Sequence, residues 1–354
     1  MPASELRAVD VSRPSGVHNG PMLTASSDAK AVVGRLDDVT AVDDEDVAAF
    51  EAERARLVGL AYRMLGSRAD AEDVVQDAWL RWHARGADRA NIERPAAWLT
   101  TVVSRLALDR LRARQRDRAD YVGPWLPEPV ILVDDPSVVV ERRDSLRIGF
   151  VHLLERLNPR ERVAFVLADV FDEPHQSIST VLDESVVNCR QLVSRARRKL
   201  AAPSMSPNAS MTVAAASSAA TMPPAGAGAG AGDGSGLDAF LTAAAGGDVD
   251  ALLAALAPGV VLVSDGGADR HAARRPVLGA DRVARFVLTI GKRVPDDASY
   301  DVVAINGERA LLVSSRGRPV LALWVQDGTG GIDAIRVAVN PAKLAALATP
   351  VAMT

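Results

Sequence analysis

The sequence predicts a multi-domain protein with two all-α domains followed by an α+β domain. Stretches without apolar periodicity separate the candidate domains, and the periodicity changes from helical to strand-like near residue 260. A run of alternating glycine and alanine before residue 233 is typical of a flexible linker. The expected segments are a disordered tail (1–45), a helical domain (46–116), a linker (117–137), a second helical domain (138–200), an Ala/Gly-rich linker (201–236) and the α+β domain (237–348).

Composition excludes several classes of protein. The 354 residues are enough for two or three modest domains, and the formal net charge of −4 does not by itself predict or exclude a nucleic-acid partner. With one cysteine, Cys189, the chain cannot hold an intrachain disulfide. No apolar stretch reaches the roughly 18 residues that span a bilayer, and no signal peptide is recognisable. We therefore expect a cytoplasmic protein without a membrane partner.

The first helical domain is predicted to contain three helices. Apolar residues recur at helical spacing from Val47 to Leu65, and Gly66 then favours the end of the helix. A third helix begins at Pro95 and runs to about Arg114. The second helix is expected to bury one stripe, formed by Ala71, Val74, Val75, Ala78 and Trp82.

The second helix also presents an acidic and apolar face. Asp73, Asp77 and Leu80 lie opposite its buried stripe. This chemistry cannot favour DNA, but it suits a protein partner with a basic groove. A solvated helix face explains the same residues equally well.

The third helix presents an aromatic residue among cations. Trp98, Arg105 and Arg112 share its outer side. An exposed indole can stack on an unpaired base while arginines contact the backbone, so these residues are candidate DNA ligands. Taken alone, a tryptophan at helical spacing is more often part of a core.

The second helical domain has the pattern of a helix-turn-helix. Residues 158–161 (NPRE) combine an N-cap, a proline at the first helical position and a glutamate at the third, so we predict a helix to about Val170. A short helix over His175–Leu182, a tight turn at 183–185 and a basic helix to Leu200 follow.

The basic helix carries a candidate reading face for DNA. Asn, Gln and Arg side chains can make bidentate contacts with base edges in the major groove, and neighbouring cations such as Lys199 contact phosphates. An ordinary solvated basic face is the alternative, but the helix-turn-helix pattern favours DNA binding. The predicted DNA-binding residues of this helix are Asn188, Arg190, Gln191, Ser194, Arg195 and Arg198.

The last domain is predicted to be a small α+β layer structure. Two helical segments (237–245 and 248–256), a strand-like run (260–263) and an amphipathic helix (281–290) precede an antiparallel meander. The strands of the meander are expected at Tyr300–Ile305, Ala310–Ser315, Val320–Val325 and Ile332–Val339.

Catalytic and metal-binding motifs are not recognisable. The five histidines are scattered, and the chain has neither a phosphate-binding glycine loop nor a nucleophile elbow. Asp265, Asp269 and His271 cluster in sequence, but polar residues of a surface turn explain them better than an acid–base site. We expect no catalytic residue, no metal site and no cofactor.

Several segments resemble a known family. Residues 70–80 (DAEDVVQDAWL), 94–99 (RPAAWL) and 108–112 (LDRLR) resemble region 2 of extracytoplasmic-function sigma factors. Residues 154–162 (LERLNPRER) and 190–198 (RQLVSRARR) resemble region 4. The resemblance implies that Asp73, Asp77 and Leu80 bind core RNA polymerase, and that the two helical domains read the minus-ten and minus-thirty-five promoter elements.

Three further motifs are similar to the subgroup of these factors that carries a fused SnoaL-like domain. They are residues 125–129 (WLPEP), 265–267 (DGG) and 340–344 (NPAKL). The resemblance implies a nuclear-transport-factor-like fold at the C-terminus that regulates the factor. The implied contact residues are Asp265, Gly266, Gly267, Asn340, Pro341 and Lys343. Asp183 stands where the family usually has glycine.

The sequence thus predicts an alternative sigma factor that directs promoter-specific initiation and is modulated by its C-terminal domain. Its expected partners are core RNA polymerase, promoter DNA and a small-molecule ligand of that domain. Two alternatives remain open, since fold does not decide function. One is a SnoaL-like enzyme, and the other is a ligand-sensing DNA-binding regulator that uses only the helix-turn-helix.

Overall fold

The computed structural model describes residues 44–117, 121–132, 144–202, 235–268, 270 and 272–348. The chain divides into two compact units, Met1–Ala49 and Phe50–Thr354, and only the helical residues 44–49 of the first unit are described. Most of the predicted tail, parts of both predicted linkers, and the residues Asp269 and His271 lie outside the described residues. Within the described part of the chain, no helix is long and apolar enough to cross a membrane.

The N-terminal helices follow the predicted pattern. They are α1 (Asp44–Leu65), α2 (Arg68–His83) and α3 (Pro95–Asp117), with a 3-10 turn at Gly86–Asn91 before α3. Gly66 ends α1 with a φ of 65°, and Ser67 caps α2 by accepting a hydrogen bond from Asp70 N at 3.3 Å. The whole predicted stripe of α2 is buried, which confirms its orientation.

The middle helices form the predicted helix-turn-helix. They are α4 (Ile148–Leu153), α5 (Pro159–Phe165), α6 (His175–Leu182) and α7 (Val186–Ala201), with a π-helical turn at Val166–Val170. Asn158 and Glu161 form a capping box at the start of α5. Asp183 ends α6 in the left-handed region, with φ 52° and ψ 54°, a conformation that glycine adopts at less cost.

The N-terminal and middle helices share one hydrophobic core. Their buried residues form a single cluster that extends from Phe50 to Leu200. Helix α3 supplies much of the contact, because it packs against both α5 and α6. The periodicity of each helix predicts its buried face, but it does not reveal which helices share a core.

The C-terminal domain is a six-stranded sheet with three helices on one face and its short last helix on the other. Its strand order is β2-β1-β6-β5-β4-β3. The predicted antiparallel meander is confirmed for β3 to β6, whereas β1 pairs in parallel with β6. The elements are α8 (Ser235–Gly246), α9 (Val249–Ala255), β1 (Leu256–Asp265), β2 (Val277–Leu278), α10 (Ala280–Gly291), β3 (Ala298–Ile305), β4 (Glu308–Ser315), β5 (Arg318–Gly328), β6 (Gly331–Ala338) and α11 (Pro341–Leu344).

The two faces of this sheet have different neighbours. One face packs on α8, α9 and α10 around residues such as Phe240 and Ile335. The opposite face carries the fully buried Trp324, which belongs to a cluster that also contains Ile148 of α4. The sheet is therefore buried on both sides, by three of its own helices on one face and by α11 with the start of the middle helices on the other.

Candidate functional site

Helix α7 exposes the predicted reading face. Its apolar stripe is buried in the helical core, so its polar side is directed to solvent. A shallow groove on this side is lined by Val187, Arg190, Gln191, Ser194, Arg195 and Arg198. All of these except Val187 are predicted DNA ligands, and the structure brings them onto one accessible surface.

Asn188 makes hydrogen bonds within the protein at the start of α7. Its backbone N–H donates to Ser185 Oγ at 3.2 Å, and its Nδ2 donates to Glu184 Oε2 at 3.1 Å. The hydrogen bond from Asn188 and the positive charge of Arg160 lower the pKa of the Glu184 carboxyl. The predicted base-reading amide therefore helps to fix the turn of the helix-turn-helix in this structure.

Lys199 has a structural partner. Its Nζ lies 2.7 Å from Glu161 Oε2, and the Glu161 side chain is only 4% exposed. A buried carboxylate needs a counter-charge, so Lys199 compensates Glu161. This pairing makes Lys199 a poor reporter of phosphate contacts, which the sequence had favoured for it.

The predicted DNA ligands of α3 are engaged within the protein. Trp98 is half-buried, with its ring centroid 5.4 Å from that of Trp82. Arg105 is exposed, and its Nη2 donates to the carbonyl oxygen of Thr180 in α6 at 2.6 Å. Arg112 pairs with Asp109 at 3.3 Å. The indole thus lies at the edge of the core, and Arg105 connects the two helical parts.

A buried arginine strengthens the contact between the two helical parts. Arg162 of α5 is 2% exposed, and its Nη2 donates to the carbonyl oxygen of Arg63 near the end of α1 at 3.2 Å. Loss of hydration lowers the pKa of Arg162 to about 9, so the guanidinium remains charged at neutral pH. It satisfies a carbonyl in the last turn of α1, where a positive charge also favours the helix dipole.

The predicted polymerase-binding face of α2 is open to solvent. Leu80 is 56% exposed, so its apolar side chain is available to a partner. Asp73 forms an exposed ion pair with Arg110 at 2.8 Å. Asp77 is exposed, and no ion pair of its carboxylate occurs among the described residues. Asp77 and Leu80 are thus the more available members of the predicted face.

Asp265 of β1 and Lys343 of α11 form a buried ion pair within the C-terminal domain, and this pair binds the segment after α3. Asp265 is 0% exposed, and its Oδ2 lies 2.6 Å from Lys343 Nζ. Oδ2 also accepts from Leu126 N at 2.7 Å, and Oδ1 accepts from Tyr121 Oη at 2.5 Å. Lys343 Nζ donates to the Leu126 carbonyl and lies 4.1 Å from the Trp125 ring centroid. We call this group of residues the linker contact.

The remaining predicted contact residues shape the linker contact. Asn340 Nδ2 donates to Tyr121 Oη at 3.1 Å, and Pro341 occupies the first turn of α11. A Cβ on Gly267 would lie 2.6 Å from Asn340 Nδ2, and one on Gly266 would lie 2.5 Å from a backbone oxygen. Both positions therefore require glycine, and all six residues predicted from the sequence are brought together.

Sequence reasoning did not identify several participants. Tyr121 gives no motif of its own, although the neighbouring 125–129 segment was recognised. Asn306 is fully buried in the turn between β3 and β4 and contacts three other parts of the chain. Its only sequence signal is the Asn306-Gly307 pair, which is typical of a tight hairpin.

Comparison with known proteins identifies the family. A protein named ECF RNA polymerase sigma factor SigJ, from Mycobacterium tuberculosis, is 38% identical over 268 residues, which cover 74% of this chain and 79% of that protein. The chain is an ECF RNA polymerase sigma factor. A protein named probable ECF RNA polymerase sigma factor SigI, also from Mycobacterium tuberculosis, is 35% identical over 305 residues, or 84% of this chain and 94% of that protein.

Family and structure comparisons agree with this identification. The Sigma-70 region 2 family matches residues 49–117, and the Sigma-70, region 4 family matches residues 149–200. The crystal structure of Mycobacterium tuberculosis extracytoplasmic function sigma factor SigJ is similar with a TM-score of 0.63 at 33% identity, covering 85% of this chain and 99% of that one. The N-terminal helices are thus region 2 of the sigma factor, and the middle helices are region 4.

The family determines the activity. This sigma factor directs promoter-specific initiation by RNA polymerase and is a transcription factor and not an enzyme. The predictions of an alternative sigma factor and of a non-enzymatic function are confirmed. Among the described residues, no cluster of three or more His, Cys, Asp or Glu side chains could hold a metal ion.

Arg195 provides a test of the reading face. We predict that Arg195→Ala costs about 1–3 kcal/mol of promoter affinity and relaxes the preference at one base pair, as expected for loss of a bidentate base contact. Arg198→Ala is the matched control, because it should weaken binding to all sequences to a similar extent. Affinities for a set of single-base promoter variants at fixed salt measure both effects. Two variants with equal affinity losses and unchanged preference would show that the reading face is elsewhere.

Proposed function

We propose that the C-terminal domain of this sigma factor restrains it by holding regions 2 and 4 in the packed arrangement described above. The observation that carries the proposal is the linker contact, in which the buried Asp265–Lys343 pair binds residues 121–126. Those residues directly follow region 2 in the chain. A domain that fixes them limits how far region 4 can move away from region 2.

The packed arrangement of regions 2 and 4 would restrain activity because it conflicts with promoter binding. Two promoter elements are read by two modules, so each module must reach its own element. Arg105 is a proposed ligand of the minus-ten element, but in this structure it donates a hydrogen bond to the carbonyl of Thr180 in region 4. The proposed region 2 ligands of DNA are Trp98, Arg105 and Arg112, and the proposed region 4 ligands are Asn188, Arg190, Gln191, Ser194, Arg195 and Arg198. Separation of the regions would release Arg105.

The exposed surfaces indicate which partners the sigma factor binds. Asp73, Asp77 and Leu80 would bind core RNA polymerase, since this face of α2 is accessible while the regions are packed. Because the C-terminal domain is part of the same chain, even a weak contact would act at high effective concentration. We place the protein in the cytoplasm, where polymerase and promoter DNA are present.

The fold of the C-terminal domain is proposed to be SnoaL-like. A six-stranded sheet in which β1 pairs in parallel with β6, with α8, α9 and α10 against one face, supports this assignment. The resemblance of residues 265–267 and 340–344 to the fused subgroup adds to it. A small-molecule ligand that favours release of the domain would convert a chemical signal into transcription, because a ligand shifts only the equilibrium between states that bind it differently.

Truncation tests the restraint. We predict that deletion from Asn340 onward raises promoter activity, since it removes Lys343 and leaves Asp265 without its counter-charge. Deletion of everything after Ala202 should act differently and lower activity, because it also exposes Ile148 and the other apolar surface of the sigma regions that the domain covers. Run-off transcription with core polymerase at matched protein concentrations measures all three forms. Equal activities of the full chain and both truncations would contradict the proposal.

A further inference from the structure

The turn between β3 and β4 lies where three segments of the sigma factor meet. We call residues 305–308 the Asn306 turn. Ile305 pairs with Glu308, and the two residues between them, Asn306 and Gly307, have φ values of 57° and 74°. Positive φ at both central positions is the requirement of a type I′ hairpin turn, which Asn-Gly satisfies at little cost. The turn places Asn306 at the tip of a rigid hairpin.

Asn306 makes hydrogen bonds to region 2, the linker and region 4. Its Nδ2 donates to Tyr62 Oη in α1 at 2.8 Å and to the Leu146 carbonyl, just before α4, at 3.0 Å. Its Oδ1 accepts from Val130 N at 3.2 Å, and its own N–H donates to the Val130 carbonyl at 2.8 Å. The residue is 0% exposed. One side chain therefore satisfies buried groups from three segments, none of which belongs to the C-terminal domain.

Tyr62 extends this arrangement to the start of α2. Its hydroxyl donates to the Glu128 carbonyl at 2.6 Å, and the Glu128 carboxylate accepts from Arg68 N at 2.6 Å and Ser67 Oγ at 2.9 Å. Burial raises the pKa of the Tyr62 hydroxyl, which therefore remains a donor at neutral pH. The Asn306 turn is thus connected to the first turn of α2, the helix that carries Asp77 and Leu80.

Glu308, two residues after Asn306 in the same hairpin, contacts region 4. Glu308 Oε1 accepts from Ile148 N at 3.0 Å, which satisfies an N–H in the first turn of α4. Arg336 of β6 packs against the same helix, since a Cβ on Gly149 would lie 2.7 Å from its Nη2. The hairpin and its neighbouring strand therefore hold the start of region 4.

The linker contact binds a different part of the chain. Asp265 and Lys343 contact Tyr121, Trp125 and Leu126, which all precede Val130. Asn306 and Glu308 instead bond to Leu146 and Ile148, at the start of region 4. The two contacts are separated in the chain and hold different segments.

We propose that the Asn306 turn is the element of the C-terminal domain that holds the start of region 4 to region 2, and that it acts separately from the linker contact. Its release frees the start of region 4 from the C-terminal domain while that domain stays attached to residues 121–126. The proposal rests on the proposed restraint by the C-terminal domain, and it assigns the positioning of region 4 to one turn of that domain. Asn306 is a positioning residue, since its side chain is 0% exposed and acts through the segments to which it is hydrogen-bonded.

The substitution Asn306→Gly tests the role of the side chain without disrupting the turn. Glycine keeps the positive φ, so the hairpin can form, but all three side-chain hydrogen bonds are lost. Arg316→Gly is a matched control: Arg316-Gly317 is the two-residue turn between β4 and β5, with φ values of 52° and 70°, and its side chain is 89% exposed. Tyr62→Phe removes one partner of Asn306 from the region 2 side without changing the hairpin.

Amide hydrogen exchange on the free full-length protein reports each contact separately. The Ile148 amide donates to Glu308 and reports on region 4, and the Leu126 amide donates to Asp265 and reports on the linker contact. In Asn306→Gly we expect exchange at Ile148 to rise about tenfold or more, while exchange at Leu126 stays within about twofold. Tyr62→Phe should raise exchange at Ile148 about threefold, and Arg316→Gly should change neither amide.

Two results would overturn the proposal. One is wild-type exchange at Ile148 in both Asn306→Gly and Tyr62→Phe, which would show that the turn does not hold region 4. The other is an equal acceleration at Leu126 and Ile148, which would show that the two contacts open as one unit. Because exchange is measured without polymerase, these results do not depend on transcription. Equal activities of the truncated forms would overturn the restraint and leave the exchange result unaffected.

Discussion

Replacing Lys343 with methionine is expected to detach the linker from the C-terminal domain and to raise transcription. Methionine retains the length of the side chain but leaves Asp265, which is 0% exposed, as an unpaired buried carboxylate. Removal of one partner of a buried ion pair costs about 3–5 kcal/mol, far more than the loss of an exposed pair. The free-energy difference that favours the bound form of the linker over the released form should therefore become small.

Thermal unfolding and run-off transcription measure the two consequences of Lys343→Met. Lys292→Met is a matched control, because Lys292 is an exposed lysine of the same domain. Adding Asp265→Asn to Lys343→Met removes the unpaired charge, so the double variant should be more stable than the sum of the single effects predicts. A Lys343→Met protein as stable and as inactive as the Lys292→Met protein would contradict the assigned role of the pair.

Asp77→Arg combined with Leu80→Ala is expected to disrupt binding to core polymerase. The two substitutions reverse a charge that would face the basic partner proposed above and remove an apolar side chain that is 56% exposed in the free protein. Residues at the centre of an interface contribute about 2 kcal/mol or more each, so a loss of about 2–4 kcal/mol, or roughly 30- to 800-fold in Kd, is expected. Folding should be unaffected, since neither side chain contributes to the core.

A pull-down or titration with purified core polymerase measures this affinity. Glu93→Arg combined with Val249→Ala makes the same two kinds of change at exposed sites outside the α2 face and should bind normally. Unchanged affinity of the Asp77→Arg, Leu80→Ala protein would exclude this face from the interface. Asp73 is left intact because its ion pair with Arg110 makes its contribution harder to interpret.

Local signals in the sequence were sufficient to predict most helices. The Asn158 capping box, Pro95 and Gly66 mark helix ends through interactions with their immediate neighbours, and the observed bounds agree closely with those signals. The parallel pairing of β1 with β6 was not predicted, because about 65 residues of chain separate the two strands. Periodicity contains no information about which distant strand becomes a neighbour.

The binding surfaces were predicted as sets of residues but not as contacts. The resemblance to the fused subgroup indicated Asp265 and Lys343, yet neither their mutual pairing nor the role of Tyr121 could be deduced from spacing. Arg105 was predicted as a solvent-facing cation, whereas its partner Thr180 lies 75 residues away in the chain. Such contacts depend on how completed domains meet, which single-sequence reasoning does not reach.

Because regions 2 and 4 share a core, their separation should be detectable as a change in heat capacity. Separation of α3 from α5 and α6 exposes apolar surface, which raises the heat capacity. Calorimetry of polymerase association should therefore show a less negative heat-capacity change than the area of the new interface implies. Because the hydrophobic effect weakens on cooling, low temperature favours the separated form. The equilibrium between packed and separated regions is in this sense temperature-dependent even without a ligand or a second protein.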